Sequence, residues 1–177
     1  MLSIIKNKFP WWFKILTKLI LSRLPISYNF WSKINIFRHG QMDNSDYAFK
    51  IFSHHIHQEE NKLNGKTILE IGPGDSLSSG IIAYYYGAKS ILVNPSKFIF
   101  DPLENFNNLK IFLENKGFKV IDTPTNLDEL CKKHKISYFV DGLESLKSIE
   151  SNSVDIIFSN AVLEHIEKKN LKILLKN

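Results

Sequence analysis

From residue 67 onward the chain alternates short apolar runs with segments of helical pattern, and no other feature restricts the fold as much. TILEI, SILVN, ISYFV and VDIIF are rich in Ile, Val, Leu and Phe and too short for buried helices, so they are expected as strands. Between them lie SSGIIAYYYGA, which Gly87 stops, and DPLENFNNLKIFLENKGF, which Pro102 opens and Gly117 closes. NLDELCKKHK and a final stretch, AVLEHIEKKNLKILLK, are the remaining expected helices. Strands separated by helices are joined by crossovers and pair in parallel, so the expected class is α/β, a parallel sheet with helices on both faces. With 177 residues, 44% of them hydrophobic and 23% charged, the chain is long enough to bury a core of this kind. We assign residues 1–64 to a helical lead-in and 65–177 to the α/β domain.

The lead-in differs in character. Residues 1–34 are aromatic, aliphatic and basic, with no acidic residue. Residues 10–24 fit an amphipathic helix: Pro10 suits a first helical position, Phe13, Leu16, Ile20 and Leu24 recur at helical spacing, and Lys14 and Lys18 share another face. The lysines and Pro25 leave the apolar stretch too short to span a bilayer. Such a helix either lies at a membrane interface or packs its apolar side on the main domain. Further on, Asn44 or Ser45 caps a helix with Ala48, Ile51, Phe52 and Ile56 on its apolar face. Of His54, His55 and His57 only the first and last share a face, and no acid is spaced to complete a metal site, so packing or surface roles are expected.

Charge and cysteine content exclude several classes. The net charge is +5, but the lysines are dispersed and no arginine-rich block occurs, which disfavours a nucleic-acid partner. The single cysteine, Cys131, forms no internal disulfide and belongs to no zinc-type spacing, which points to a reducing cytoplasm; under the interfacial reading of the lead-in helix, the chain would sit peripherally at the inner membrane face.

The first strand ends in ILEIGPGDS, residues 68–76. In open parallel sheets ligands bind at the carboxyl ends of strands, and glycines there let the backbone approach them. A dinucleotide loop reads Gly-x-Gly-x-x-Gly; here Gly72 and Gly74 match and the third position is Leu77. Glu70, two residues before Gly72, would repel a pyrophosphate and attract an ammonium group. That order suits S-adenosylmethionine, which carries an ammonium and a sulfonium and no phosphate. A dinucleotide and a purely structural turn are the alternatives.

LEIGPGDS followed some eighty residues later by SNSVDIIFSNAVLEHI resembles the class I S-adenosylmethionine-dependent methyltransferases, in the broad type 11 group. The resemblance covers roughly residues 66–168. It implies a Rossmann-like S-adenosylmethionine methyltransferase fold and a set of site residues. Gly72 and Gly74 would shape the loop around the methionine part of the cofactor, Glu70 would hold its amino group directly or through water, and Asp75 and Ser76 would line the loop, with Asn160 in the second motif. The family places a ribose-binding acid at the end of the second strand; this chain has Asn94, which loses the paired acceptor geometry at a cost of about 1–3 kcal/mol. The acid expected after the third strand falls at Gly142 if LESL sets the register, so Asp141, one place early, is the adenine contact implied.

Methyl transfer is an in-line displacement that rests largely on positioning, so no Ser/His/Asp set is required. His165, beside Glu164, is the candidate base if the acceptor must lose a proton; otherwise it caps or packs its helix. The implied acceptor is a small molecule, a lipid or a glycan. The family's sheet has seven strands and this sequence supplies four, so the resemblance implies a domain whose C-terminal strands are missing. Three readings follow: a methyltransferase, a non-catalytic remnant or interaction module that keeps the donor-site fold, and a nicotinamide-dependent oxidoreductase, against which Leu77 and Glu70 both count.

Overall fold

A computed structural model describes residues 41–56, 62–120 and 123–163. The chain divides into two compact units, Met1–His39 and Gly40–Asn177, and the description concerns the second. The expected amphipathic helix over residues 10–24 and the candidate base His165 lie outside the described residues.

The elements, in chain order, are α1 (Ser45–Ile56), β1 (Thr67–Ile71), α2 (Ser78–Tyr85), β2 (Lys89–Val93), α3 (Pro102–Asn115), α4 (Leu127–Lys133), β3 (Ile136–Phe139), α5 (Leu143–Leu146) and β4 (Ile156–Phe158). The four strands form one sheet in the order β3-β2-β1-β4, and every pairing is parallel. The protein is therefore α/β with an all-parallel sheet, as the alternation predicts.

Side chains alternate across a strand, so β1 feeds two cores. Ile68 faces the larger one, with Leu92 of β2, Phe158 of β4, and Phe52, Ile82, Phe106 and Leu113 of the helices. Leu69 and Ile71 face the smaller one, with Val93, and Leu146, Ile149, Val154 and Val162 pack against it. The helices earn their places by periodicity: α1 buries Ala48, Phe52 and Ile56, and α3 buries Phe106, Leu109 and Leu113.

The ends are set locally. Asn44 Oδ1 accepts the N–H of Tyr47 at 3.0 Å, capping α1. Asn126 Oδ1 accepts the N–H of Glu129 at 2.8 Å, and the Glu129 carboxylate returns to the N–H and hydroxyl of Thr125, both at 2.7 Å. Those bonds, the Thr125 N–H first, bring the Glu129 carboxyl down to about 2. Gly87, at φ +87, ends α2 by letting Ala88 N–H reach the carbonyl of Ala83 at 3.0 Å.

Two stretches differ from the sequence expectation. LESL, which the pattern assigns to no element, forms the short helix α5. The last expected helix does not begin at Ala161, which sits at φ +55, outside the right-handed helical region. Its remainder, from residue 164, lies outside the described residues.

Candidate functional site at the carboxyl edge of the sheet

The strand order creates the site's location. The chain builds outward from β1 through β2 to β3, then returns to add β4 on the other side of β1. The loops after β1 and β4 therefore leave neighbouring strands at the point where the order reverses, where open α/β sheets form a ligand crevice.

These two loops touch. Ser159, just beyond β4, donates its hydroxyl to the carbonyl of Ile71 at 2.9 Å. A Cβ on Gly72 would lie 2.3 Å from Val162 Cγ2, and Gly72 sits at φ +79, so both space and backbone demand glycine there. The Gly72 N–H donates to the carbonyl of Val93 at 2.8 Å, tying the loop to β2. Gly74 is also left-handed, at φ +77. The two motifs singled out in the sequence thus converge on one place.

Glu70 lies beneath this loop. It is 1% exposed, on the face of β1 that carries Ile68, and its Oε2 accepts the hydroxyl of Ser79 from the first turn of α2. Burial pushes its carboxyl up from 4.5 to about 7, and the Ser79 bond opposes that rise. The carboxyl is held inside the protein by Ser79, whereas the sequence reading had it presented to an ammonium group.

Asp75 and Ser76 are buried in the loop. Ser76 Oγ accepts the N–H of Ser78 at 3.1 Å and lies 2.7 Å from Ser78 Oγ. The first N–H of α2 is thereby taken by the chain's own serine. Leu77, at the third-glycine position, is buried in the main core.

Asn94, directly after β2, is 1% exposed. Its Nδ2 donates to the carbonyl of Gly74 at 2.9 Å and to the hydroxyl of Tyr138 at 3.2 Å. Its backbone donates to Phe139 O and accepts from Gly142 N, each at 2.9 Å. That last bond sets Asp141 beside Asn94; Asp141 is exposed, and its N–H donates to Ser145 Oγ at 3.2 Å. Asn160 is half-buried, next to Ser159.

Topology therefore brings Glu70, Gly72, Gly74, Asp75, Asn94, Asp141 and Asn160 to one edge of the sheet. Of their side chains, Asp141 is open to solvent, Asn160 is half-buried, and Glu70, Asp75 and Asn94 face inward. Ser79, Tyr138 and Val162 join them without having been anticipated. Tyr138 carried a signal, a polar-tipped aromatic one residue from a strand end, and Ser79 another, nine residues after a buried acid.

A separate cleft of about 590 Å³ lies against the opposite face of the sheet, lined by Leu69, Ile71, Leu146, Ile149, Val154 and Ile157 among others. None of the predicted site residues lines it. Among the described residues, no group of three or more His, Cys, Asp or Glu side chains is placed to hold a metal ion, and no helix is long and apolar enough to cross a membrane. Cys131 is half-buried, and burial first, then Asp128, push its thiol up to about 11, which makes it a poor nucleophile at neutral pH.

No protein-family model and no curated protein matches the chain.

Proposed function

We propose that this chain is an S-adenosylmethionine-dependent methyltransferase of the Rossmann-like class I type, acting on a small-molecule, lipid or glycan acceptor. The observation that carries the reading is the meeting of Gly72 with Val162 and of Ile71 with Ser159. It joins the glycine loop to the SNAVLEHI segment at the point where the strand order reverses.

The residues fit a phosphate-free ligand better than a dinucleotide. Ser76 occupies the first N–H of α2, and a pyrophosphate would need that helix start. The backbone of Gly72–Gly74 offers close approach, and Asp141 offers an exposed carboxylate for a hydroxyl or amine. Glu70, through Ser79, ties β1 to the first turn of α2. When bound, S-adenosylmethionine would supply a methyl on a sulfonium, from which a neutral thioether readily leaves. The chain's part is then to orient the ligand at the carboxyl edge and to exclude water from it.

One observation favours a second reading, a non-catalytic module that keeps the fold. The Asn94 side chain and the Glu70 carboxyl are both bonded to the protein's own groups. Under that reading the basic, aromatic segment 10–24 serves a membrane or protein partner.

Calorimetric titration of the folded chain with S-adenosylhomocysteine separates the two. Micromolar binding supports the donor site. A folded chain that takes up no ligand favours the module, and methyl transfer by the purified chain eliminates it.

A further inference from the structure

The Asn94 amide has two protons, and both are spent: one on the carbonyl of Gly74 at 2.9 Å, one on the hydroxyl oxygen of Tyr138 at 3.2 Å. A carbonyl oxygen only accepts, so the NH₂ end of the amide must be the end that faces Gly74. The Phe98 backbone N–H also bonds the Tyr138 oxygen. The Asn94 backbone bonds β3 through Phe139 O and the loop beyond it through Gly142 N. One buried side chain therefore ties the glycine loop of β1 to the end of β2 and to β3.

We infer that Asn94 is a latch that holds the glycine loop in its left-handed conformation, that Tyr138 is the positioning residue that aims the latch, and that the amide is required here in place of an acid. An aspartate in the same rotamer would set a carboxylate oxygen 2.9 Å from the Gly74 carbonyl, lone pair against lone pair, where a donor now sits. It would also lose the proton given to Tyr138. The departure from the family's ribose-binding acid is then the replacement of a ligand contact by an internal strut. The effect on ligand affinity rests on the donor-site reading above; the effect on the loop does not.

The experiment is hydrogen–deuterium exchange on the ligand-free chain, comparing the parent with Asn94→Asp and Tyr138→Phe. Loss of one or two such hydrogen bonds speeds local opening by roughly 2–10-fold each. The expected result is faster exchange at residues 72–77 in both variants, larger in Asn94→Asp, with α1 and α3 unchanged. Tyr138→Phe, which deletes one hydroxyl, keeps the test decisive if Asn94→Asp does not fold. Unchanged exchange at 72–77 overturns the inference, and so does an equal rise across the whole sheet, which would mark a merely structural contact. Titration with S-adenosylhomocysteine supplies the second readout. Weaker binding to Asn94→Asp supports the latch, whereas tighter binding overturns it by making position 94 a ribose contact. If the parent itself binds none, the donor reading falls and the exchange data alone decide the latch.

Discussion

The Ser79 hydroxyl donates a hydrogen bond to the carboxyl of Glu70, and both residues are buried, one on α2 and one on β1. The pair fixes the first turn of α2 against the strand that carries the glycine loop. It also places an ionisable group where ionisation is costly.

That cost sets a pH dependence. The Glu70 carboxyl is raised from 4.5 to about 7, so between those values the folded protein keeps a proton that the unfolded chain releases. The contribution is fully present below 4.5 and is lost as pH rises through about 7. Stability should fall across this window by up to about 3 kcal/mol. Glu70→Gln keeps an acceptor for Ser79 and should flatten the slope. Urea unfolding at several pH values checks this, and identical slopes in parent and variant would show that another group titrates.

Gly72→Ala should destabilise the protein by about 2 kcal/mol, because the new methyl meets Val162 and the backbone is left-handed. Part of the loss should return in the double variant Gly72→Ala/Val162→Ala. Chemical denaturation of the three variants measures the coupling. Strict additivity would mean that the two side chains do not compete for the same space.

Ser90 presents the opposite case. Its hydroxyl is buried with no hydrogen-bond partner among the described residues, and it is the nearest atom to the space a Cβ on Gly80 would fill, at 2.8 Å. Ser90→Ala removes an unsatisfied group at little loss of packing and should stabilise by up to about 1 kcal/mol. A lower midpoint in thermal unfolding would refute this.

Asp155, immediately before β4, accepts from Lys66 Nζ at 2.7 Å and from the N–H of Thr67 at 2.8 Å. Lys66 first, then the Thr67 N–H, hold its carboxyl below the ordinary 3.8. A depressed carboxyl contributes stability above its unfolded value and loses it as pH falls through the folded one. Asp155→Asn should therefore lower the unfolding midpoint at neutral pH, and the deficit should shrink in acid below 3.8 and in high salt. A deficit that is the same at all salt concentrations would leave no role for the charge.

Much of the fold is legible because periodicity and punctuation agree. TILEI is β1 residue for residue, Pro102 and Gly117 bracket α3, and Gly87 ends α2. The misses arise where tertiary contacts decide. Val154 and Asp155 look like strand, yet β4 starts at Ile156, and the Asp155 carboxylate is taken by Lys66 and the Thr67 N–H. The candidate site is legible as a location, since every predicted residue within the described chain falls at the carboxyl edge. The direction of each side chain is not. Sequence shows an acid at 70 and an amide at 94, but only the placement of Ser79, Gly74 and Tyr138 reveals that both turn inward.

The position of β4 beside β1 also orders events in time. Thr67 pairs with Lys89, 22 positions on, but meets Asp155 only 88 positions on. Closing the longer loop costs about 1 kcal/mol more chain entropy. A ribosome must release the chain at least through β4 before the second flank of β1 has a neighbour. Until then the strand that leads into the glycine loop has an open side, and one wall of the crevice has yet to be made.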